Sequence, residues 1–143
     1  MKPYAELPPV GGTYALFLFL PQPSEITVGK LGCFLFPTGA YVYVGSAQGS
    51  GGLRARIKHH LRIAENPRWH IDYFRPYADL IGFWFVVGHE ALECAWSQRL
   101  AKMYPSRVVA PGFGARDCRK GCAAHFWWVG ERQDVFGESL IIE

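Results

Sequence analysis

The residues whose types and spacing most clearly suggest chemistry form a basic stretch in the middle of the chain. Segment Leu53–Arg62, LRARIKHHLR, contains four of the fifteen Lys and Arg residues and none of the twelve acids. Subtracting it leaves eleven basic against twelve acidic residues, so the net charge changes from +3 to −1. A concentrated positive charge of this kind is typical of a surface that binds phosphate groups, whereas its structural alternative is a solvated helix face.

Laid out at 100° per residue, this segment forms an amphipathic helix with a narrow apolar stripe. The stripe consists of Leu53, Ile57, Leu61 and Ala64. The residues expected to contact nucleic acid are Arg54, Lys58, His59 and Arg62. Arg56 and His60, four residues apart, lie at the border of the stripe, where a long polar side chain can pack on the core and reach a cleft.

A second constellation has the residue types of a zinc site. It consists of Asp117, Cys118, Cys122 and His125. Zinc accepts thiolate, imidazole and carboxylate ligands in a tetrahedral arrangement, but this spacing is not a standard zinc motif. The alternative is a helix whose residues 118, 122 and 125 share one packing face. In the segment WHIDY, His70 and Asp72 could shape a cleft, although we expect them to cap helices and satisfy buried backbone groups.

These residues must be positioned by a small α+β fold with a mostly antiparallel sheet flanked by two or three helices. Strands are expected at Thr13–Leu20, Glu25–Val28, Cys33–Phe36, Ala40–Gly45, Ile81–Val87 and His125–Val129. Helices are expected at Leu53–Glu65 and Glu90–Tyr104. All 143 residues are expected to form a single domain, with a core from about residue 12 to 128 and an acidic tail over residues 131–143.

On the second of these helices, Glu93 and Glu90 have different environments. Trp96, Leu100 and Met103 form the buried face, and Glu93 lies at its border, whereas Glu90 points towards solvent in the first turn. A carboxylate in the first turn is favourable at the positive end of the helix dipole.

Two tripeptides carry a resemblance to a known family. Gly12-Thr13-Tyr14 opens the first strand and Tyr43-Val44-Gly45 closes a later one, with Arg56 and Glu93 on the helices that follow. This order resembles the GIY-YIG nuclease superfamily, whose two signatures lie on neighbouring strands of a small antiparallel sheet. The segments GKLGCFLFPTGAYVYVGSAQG, RIKHHLR, WHIDY and GFGARDC are similar to a branch that also occurs fused to endonuclease III-type DNA glycosylases. The resemblance extends from about residue 12 to 128.

The resemblance implies hydrolysis of phosphodiester bonds with Mg²⁺ or Mn²⁺ as cofactor. Tyr14 or Tyr43 would position or deprotonate water, and Arg56 would neutralise charge on the scissile phosphate. Glu93 would hold the metal ion, and His60 would be a second phosphate contact or a proton carrier. The expected partner is a nucleic acid, with DNA favoured over RNA, and the fusion partners suggest a role in DNA repair.

Composition excludes several classes of protein, including disordered and membrane-spanning chains. Half of the residues are hydrophobic and 19% are charged, which excludes an intrinsically disordered chain. No apolar run approaches the ~18 residues of a spanning helix, so we expect no membrane partner. The N-terminus MKPYAELPPVGG lacks the apolar stretch of a signal peptide, which favours the cytoplasm and reduced or metal-bound cysteines. Cys33 and Cys94 are expected to be small buried hydrophobic residues.

Three classes of function remain after these exclusions. The first is a metal-dependent endonuclease, the second a non-catalytic nucleic-acid-binding module with the same fold, and the third a protein-interaction domain. The first is favoured by four residues present together, Tyr14, Tyr43, Arg56 and Glu93. A module that only binds has no need for the carboxylate, which repels phosphates without a metal ion. The sequence leaves the oligomeric state open.

Overall fold

The computed structural model describes residues 7–115 and 118–132. The strands are β1 (Gly12–Leu20), β2 (Ser24–Val28), β3 (Gly32–Phe36), β4 (Gly39–Ser46), β5 (Asp79–Val87) and β6 (Phe126–Gly130). The helices are α1 (Gly52–His60), α2 (His70–Phe74) and α3 (Glu93–Ala101), with a 3-10 turn at Arg75–Tyr77 after α2. The predicted α+β class is confirmed.

Four of the strands form one sheet in the order β5-β1-β4-β6, and every neighbouring pair is antiparallel. β1 is a central strand with hydrogen-bonded neighbours on both sides. Its side chains enter two separate cores, since Leu16 and Leu18 pack on one face of the sheet and Ala15 on the other. A strand covered on both faces has no solvated side, which explains why its sequence TYALFLFL shows no alternation of polar residues.

The two faces of the sheet carry different layers. On one face, Leu53 and Ile57 of α1 and Phe74 of α2 belong to the larger core. On the other face, Trp96 and Leu100 of α3 pack in the smaller core. The result is a three-layer arrangement in which each helix buries its apolar stripe against the sheet.

The strands expected at Glu25–Val28 and Cys33–Phe36 are confirmed as β2 and β3, which form an antiparallel hairpin and a separate two-stranded sheet. Gly29 adopts a φ of 49°, a backbone conformation that glycine reaches without steric cost. The hairpin is attached to the rest of the fold through Phe36, which is fully buried among aromatic rings. Its ring centroid lies 5.2 Å from that of Phe74 and 6.3 Å from that of Phe126.

Both predicted helices are too long. α1 ends at His60 instead of Glu65, because the Arg75 side chain takes over the last carbonyls: its Nε donates to His60 O at 2.8 Å and an Nη to Leu61 O at 3.3 Å. Such a cation at a helix C-terminus satisfies acceptors that the helix itself leaves unpaired.

α3 begins at Glu93, so the prediction that Glu90 occupies its first turn is wrong. Glu90 lies in an exposed bend before the helix, and Glu93 takes the first-turn position. The segment between β5 and α3 is held instead by the Leu92 N–H, which lies 3.4 Å from Thr13 Oγ1 of β1.

The acidic tail lies largely outside the described residues, which end at residue 132. Within residues 7–115 and 118–132, no helix has the length and apolar character needed to cross a bilayer.

Replacing Phe36 by alanine tests how the hairpin is attached. We expect Phe36→Ala to lower the free energy of unfolding by about 3–5 kcal/mol, because it leaves a cavity among packed rings. The neighbouring Leu35 is 68% exposed and provides the control, with Leu35→Ala expected to change stability by about 0.5 kcal/mol or less. Urea denaturation followed by fluorescence measures both, and equal effects would contradict this account of the attachment.

Candidate active site

The β1–β4 register places the two tripeptide signatures opposite each other. Tyr14 pairs with Gly45, and its ring occupies the space where a side chain at position 45 would stand. A Cβ built on Gly45 would lie 2.5 Å from Tyr14 Oη, so only glycine leaves room for the ring. Gly12 is required for a similar reason, because its Cβ would collide with the Val86 carbonyl and the Leu53 side chain.

The Tyr14 hydroxyl is bound to a buried histidine. Its Oη lies 2.8 Å from His60 Nε2, and both residues are almost inaccessible, at 1% and 2% exposure. His60 Nδ1 lies 4.0 Å from Asp72 Oδ1. With its proton on Nδ1, the imidazole accepts the Tyr14 O–H at Nε2 and directs its own N–H towards the carboxylate. His60 therefore lies behind Tyr14 and does not reach the surface.

Burial sets the protonation states of these groups. It raises the pKa of Tyr14 and of Tyr43 well above the ordinary value of 10, and the Arg56 guanidinium offsets only part of that effect. Burial also lowers the pKa of His60 from 6.5 to about 3, although Asp72 acts in the opposite direction. At neutral pH both tyrosines are neutral phenols and His60 is a neutral imidazole.

Asp72 has the structural role expected for it. One of its oxygens accepts the backbone N–H groups of Arg68 at 2.8 Å and Trp69 at 3.0 Å, which caps the start of α2. Both of its oxygens lie 3.1 Å from His59 Nε2. Although burial opposes ionisation, these donors hold the pKa of Asp72 below its usual range. The carboxylate thus joins α2 to the end of α1.

Arg56 is anchored by two contacts. One of its Nη atoms donates to Ser46 O at 2.7 Å, immediately after the second signature. Its guanidinium carbon lies 4.3 Å from the centroid of the Trp69 ring, and that of Arg68 lies 4.8 Å from the same ring. Stacking of this kind orients a guanidinium plane, and Trp69 therefore serves as a platform for two cations.

A cleft of about 750 Å³ opens beside these residues. Tyr43, Arg56 and Glu93 all line it, whereas Tyr14 lies beneath its wall. Glu93 Oε1 is buried and has no hydrogen-bond partner, the one such side-chain oxygen or nitrogen in the described parts of the chain. The cations of the wall are Arg56, Arg68, Arg119 and Lys120. The structure thus brings a tyrosine, an arginine and the predicted carboxylate into one basic cleft.

The remaining basic residues of α1 do not line this cleft. Those exposed on α1 and just beyond it are Arg54, Lys58 and Arg62. Arg54 Nε donates to Leu7 O at 2.8 Å, which ties the preceding segment to the helix. His59 faces Asp72, as described above. A role of these four positions in nucleic-acid binding stays a prediction.

The cleft extends to a group of three thiols and one imidazole. The group consists of Cys94, Cys118, Cys122 and His125. The prediction for Cys94 was wrong, since its half-buried thiol at the start of α3 faces the other two cysteines. Cys33 is not buried either, and lies exposed on β3. Asp117, the fourth ligand expected from sequence, lies outside the described residues.

The pKa values of two neighbouring thiols in this group are shifted in opposite directions. Burial and the Cys118 thiol raise the pKa of Cys94 to about 12. Burial also opposes ionisation of Cys118, but backbone N–H groups of Lys120 and Cys122 and the Cys94 thiol lower its pKa to about 7. Cys118 is therefore the thiol that ionises first.

Comparison with known proteins assigns the chain to a family. Residues 13–140 match the family model described as "Domain of unknown function DUF123". The chain belongs to this family. The DUF123 match includes every residue that lines the cleft and every member of the cysteine–histidine group. No curated protein and no solved structure matches the chain.

Several residues that line the DUF123 cleft were not predicted from the sequence. Arg68 and Trp69 precede a short helix that shows no periodicity, and their contact with Arg56 depends on the fold. Arg119 and Lys120 lie between Cys118 and Cys122 in the sequence. The candidate zinc ligands were therefore the signal that could have indicated their position. Cys94 carried no sequence signal, because its partners lie 24 and 31 residues further along the chain.

The neutral, buried state of His60 predicts a pH-dependent stability. Because its folded pKa of about 3 lies below the ordinary 6.5, protons bind more readily to the unfolded chain between these values. The contribution of His60 is complete above about pH 6.5 and decreases by up to ~1.4 kcal/mol per pH unit as the pH falls. Urea denaturation from pH 7.5 to 4.5 should therefore give a shallower slope for His60→Gln.

The exposed His89 provides the matched control for this measurement. We expect His89→Gln to retain the slope of the wild-type protein, since it removes an imidazole from the surface. An identical slope in His60→Gln and wild type would mean that His60 is not held neutral by burial.

Proposed function

We propose that this chain is a metal-dependent endonuclease domain of the GIY-YIG superfamily that hydrolyses phosphodiester bonds, with DNA as its first candidate substrate. The observation that carries the proposal is the buried and unpartnered Glu93 oxygen, which lies in one cleft with Arg56 and Tyr43. A buried carboxylate oxygen without a donor is unfavourable unless a cation binds it. The fusion partners of similar proteins make DNA repair the expected context.

The charge of the cleft supports a phosphate ligand. Four cationic side chains and one carboxylate line it, so the wall is net positive around a single acidic group. Two of the cations, Arg56 and Arg68, present guanidinium groups that suit bidentate contact with phosphate oxygens. A module that only bound nucleic acid would gain nothing from the carboxylate, which repels phosphates when no metal ion is bound.

Glu93 fits the requirements of a magnesium or manganese site. Mg²⁺ in enzymes is held by one or two carboxylates together with water and substrate phosphate. The unpartnered oxygen of Glu93 supplies one hard ligand, and the open cleft leaves room for water and phosphate. When bound there, the ion would stabilise negative charge on the phosphate and acidify coordinated water.

The protein's own residues would bind the phosphate, orient the attacking water and hold the tyrosines in place. Arg56, already oriented by Ser46 O and Trp69, would contact the non-bridging oxygens of the scissile phosphate. Tyr43, the tyrosine that lines the cleft, would orient the attacking water as a neutral phenol. Tyr14 would hold its position on Gly45 through the His60 hydrogen bond, and His60, which does not line the cleft, would act as a positioning residue behind it.

Glu93→Gln tests the carboxylate. We expect it to decrease metal-dependent cleavage by about 100-fold or more while nucleic-acid binding stays nearly unchanged, because the amide keeps the shape and loses the charge. The matched control is Glu90→Gln, three residues earlier in an exposed bend, which should retain full activity. The measurements are nicking of duplex, branched and single-stranded DNA and of RNA with Mg²⁺ or Mn²⁺, and fluorescence anisotropy for binding.

Two results would contradict this assignment. If Glu90→Gln were the inactive variant, the carboxylate would be wrongly chosen. If the wild-type protein bound nucleic acid but showed no metal-stimulated cleavage on any of these substrates, it would be a binding module instead.

Arg56→Lys tests the guanidinium. We expect Arg56→Lys and Arg56→Ala to lose cleavage by a similar factor, about 10²–10³, since an ammonium cannot form the same fork or stack on Trp69. Arg99→Lys, at an exposed position of α3 outside the cleft lining, should retain activity, and circular dichroism should show that all three variants are folded. Full activity of Arg56→Lys would show that charge alone is sufficient.

A further inference from the structure

The cysteine–histidine group at the end of the cleft has the ligand set of a structural zinc site. We propose that Cys94, Cys118, Cys122 and His125 bind one Zn²⁺ through three thiolates and one imidazole. This assignment is independent of the proposed nuclease activity. It replaces the ligand set expected from sequence, because Cys94 of α3 takes the place given there to Asp117.

The distances within the group agree with tetrahedral zinc. The four ligand atoms lie within 4.8 Å of one another. Zn–S bonds of about 2.3 Å and a Zn–N bond of about 2.0 Å at tetrahedral angles separate two sulfurs by ~3.8 Å and a sulfur from a nitrogen by ~3.5 Å. Cys94 Sγ lies 3.4 Å from Cys118 Sγ and 3.6 Å from His125 Nε2, so small side-chain rotations would complete the geometry.

The position of the group in the fold explains why a metal would be needed. The chain between α3 and β6, from residue 102 to 125, contains no helix or strand among its described residues. A loop of this length without helix or strand is uncommon in a compact domain. The group connects its end to a helix, since Cys94 is the second residue of α3 and His125 immediately precedes β6.

His125 is prepared as a ligand by its surroundings. Its backbone N–H donates to Phe113 O at 2.8 Å, and its carbonyl accepts the Val44 N–H at 2.9 Å, which fixes the residue against β4. The ring also hydrogen-bonds the Gly114 backbone, the kind of outer contact that orients zinc-bound histidines. Its remaining nitrogen, Nε2, faces Cys94. Soft thiolates with one imidazole favour Zn²⁺ over hard cations.

A second group of ligand types lacks these properties. His59, His60 and Asp72 also lie close together. The Asp72 carboxylate is already occupied by two backbone N–H groups and by His59, and His60 Nε2 by Tyr14 Oη. A metal ion at this group would have to displace these hydrogen bonds, which hold the start of α2 and the Tyr14 hydroxyl.

A zinc ion at the first group would also shape the cleft. It would fix the start of α3, where Glu93 precedes Cys94, and the loop that carries Arg119 and Lys120 between Cys118 and Cys122. Four protein ligands leave no open coordination position, so the ion would stabilise the structure and would not take part in chemistry.

Metal content and ligand geometry test the assignment directly. We expect the protein, purified under reducing conditions without chelators, to contain one zinc per chain by plasma mass spectrometry. Replacement by Co²⁺ should give the strong visible bands of a tetrahedral ion and near-ultraviolet thiolate-to-cobalt absorption. Cys94→Ser and Cys122→Ser should lose metal, whereas Cys33→Ser, which removes an exposed thiol of β3, should retain it.

A further variant tests the assignment even if the serine variants do not fold. His125→Cys preserves four ligands, so we expect it to retain zinc and to raise the thiolate-to-cobalt absorption by about one third, because four thiolates replace three. The assignment would be overturned by a reduced protein without zinc, by the weak bands of octahedral Co²⁺, or by a Cys94–Cys118 disulfide in peptide mapping. None of these measurements depends on cleavage, so the two proposals can fail separately.

Discussion

The ring of Tyr14 lies directly on the backbone of Gly45, and no other residue at position 45 would permit this contact. The contact is possible because β1 and β4 pair in a register that sets the two residues opposite each other. A shift of one residue would turn Tyr14 to the other face of the sheet and separate it from His60. The depth of the ring, the neutrality of His60 and the position of the cleft wall all follow from this packing.

β4 connects the basic cleft to the cysteine–histidine group. Ser46, at its end, accepts a hydrogen bond from Arg56, and Val44, two residues earlier, donates one to His125. The signature strand therefore holds the basic side of the cleft through one residue and the cysteine–histidine group through another. This arrangement explains how one strand can position a side chain of α1 together with the segment that precedes β6.

Periodicity predicted the parts of the fold that regular elements determine. The six strands and the buried face of α3 could be derived because continuous apolar runs, alternation and helical spacing follow directly from burial. The end of α1 could not, since it depends on Arg75, a residue fifteen positions beyond His60. Cys94 was assigned to the core for a related reason. Its neighbours belong to a loop, and the conformation of a loop cannot be predicted from the periodicity of the local sequence.

Arg56 illustrates a consequence of having the cleft wall assembled before any ligand arrives. A free arginine side chain samples many rotamers, and restricting it costs about 1.5–2 kcal/mol of conformational entropy. Here the Ser46 carbonyl and the Trp69 ring restrict the side chain in the folded protein itself. That entropy is lost during folding, so a phosphate bound to the guanidinium as proposed would not have to order it, and more of the contact energy would remain for affinity.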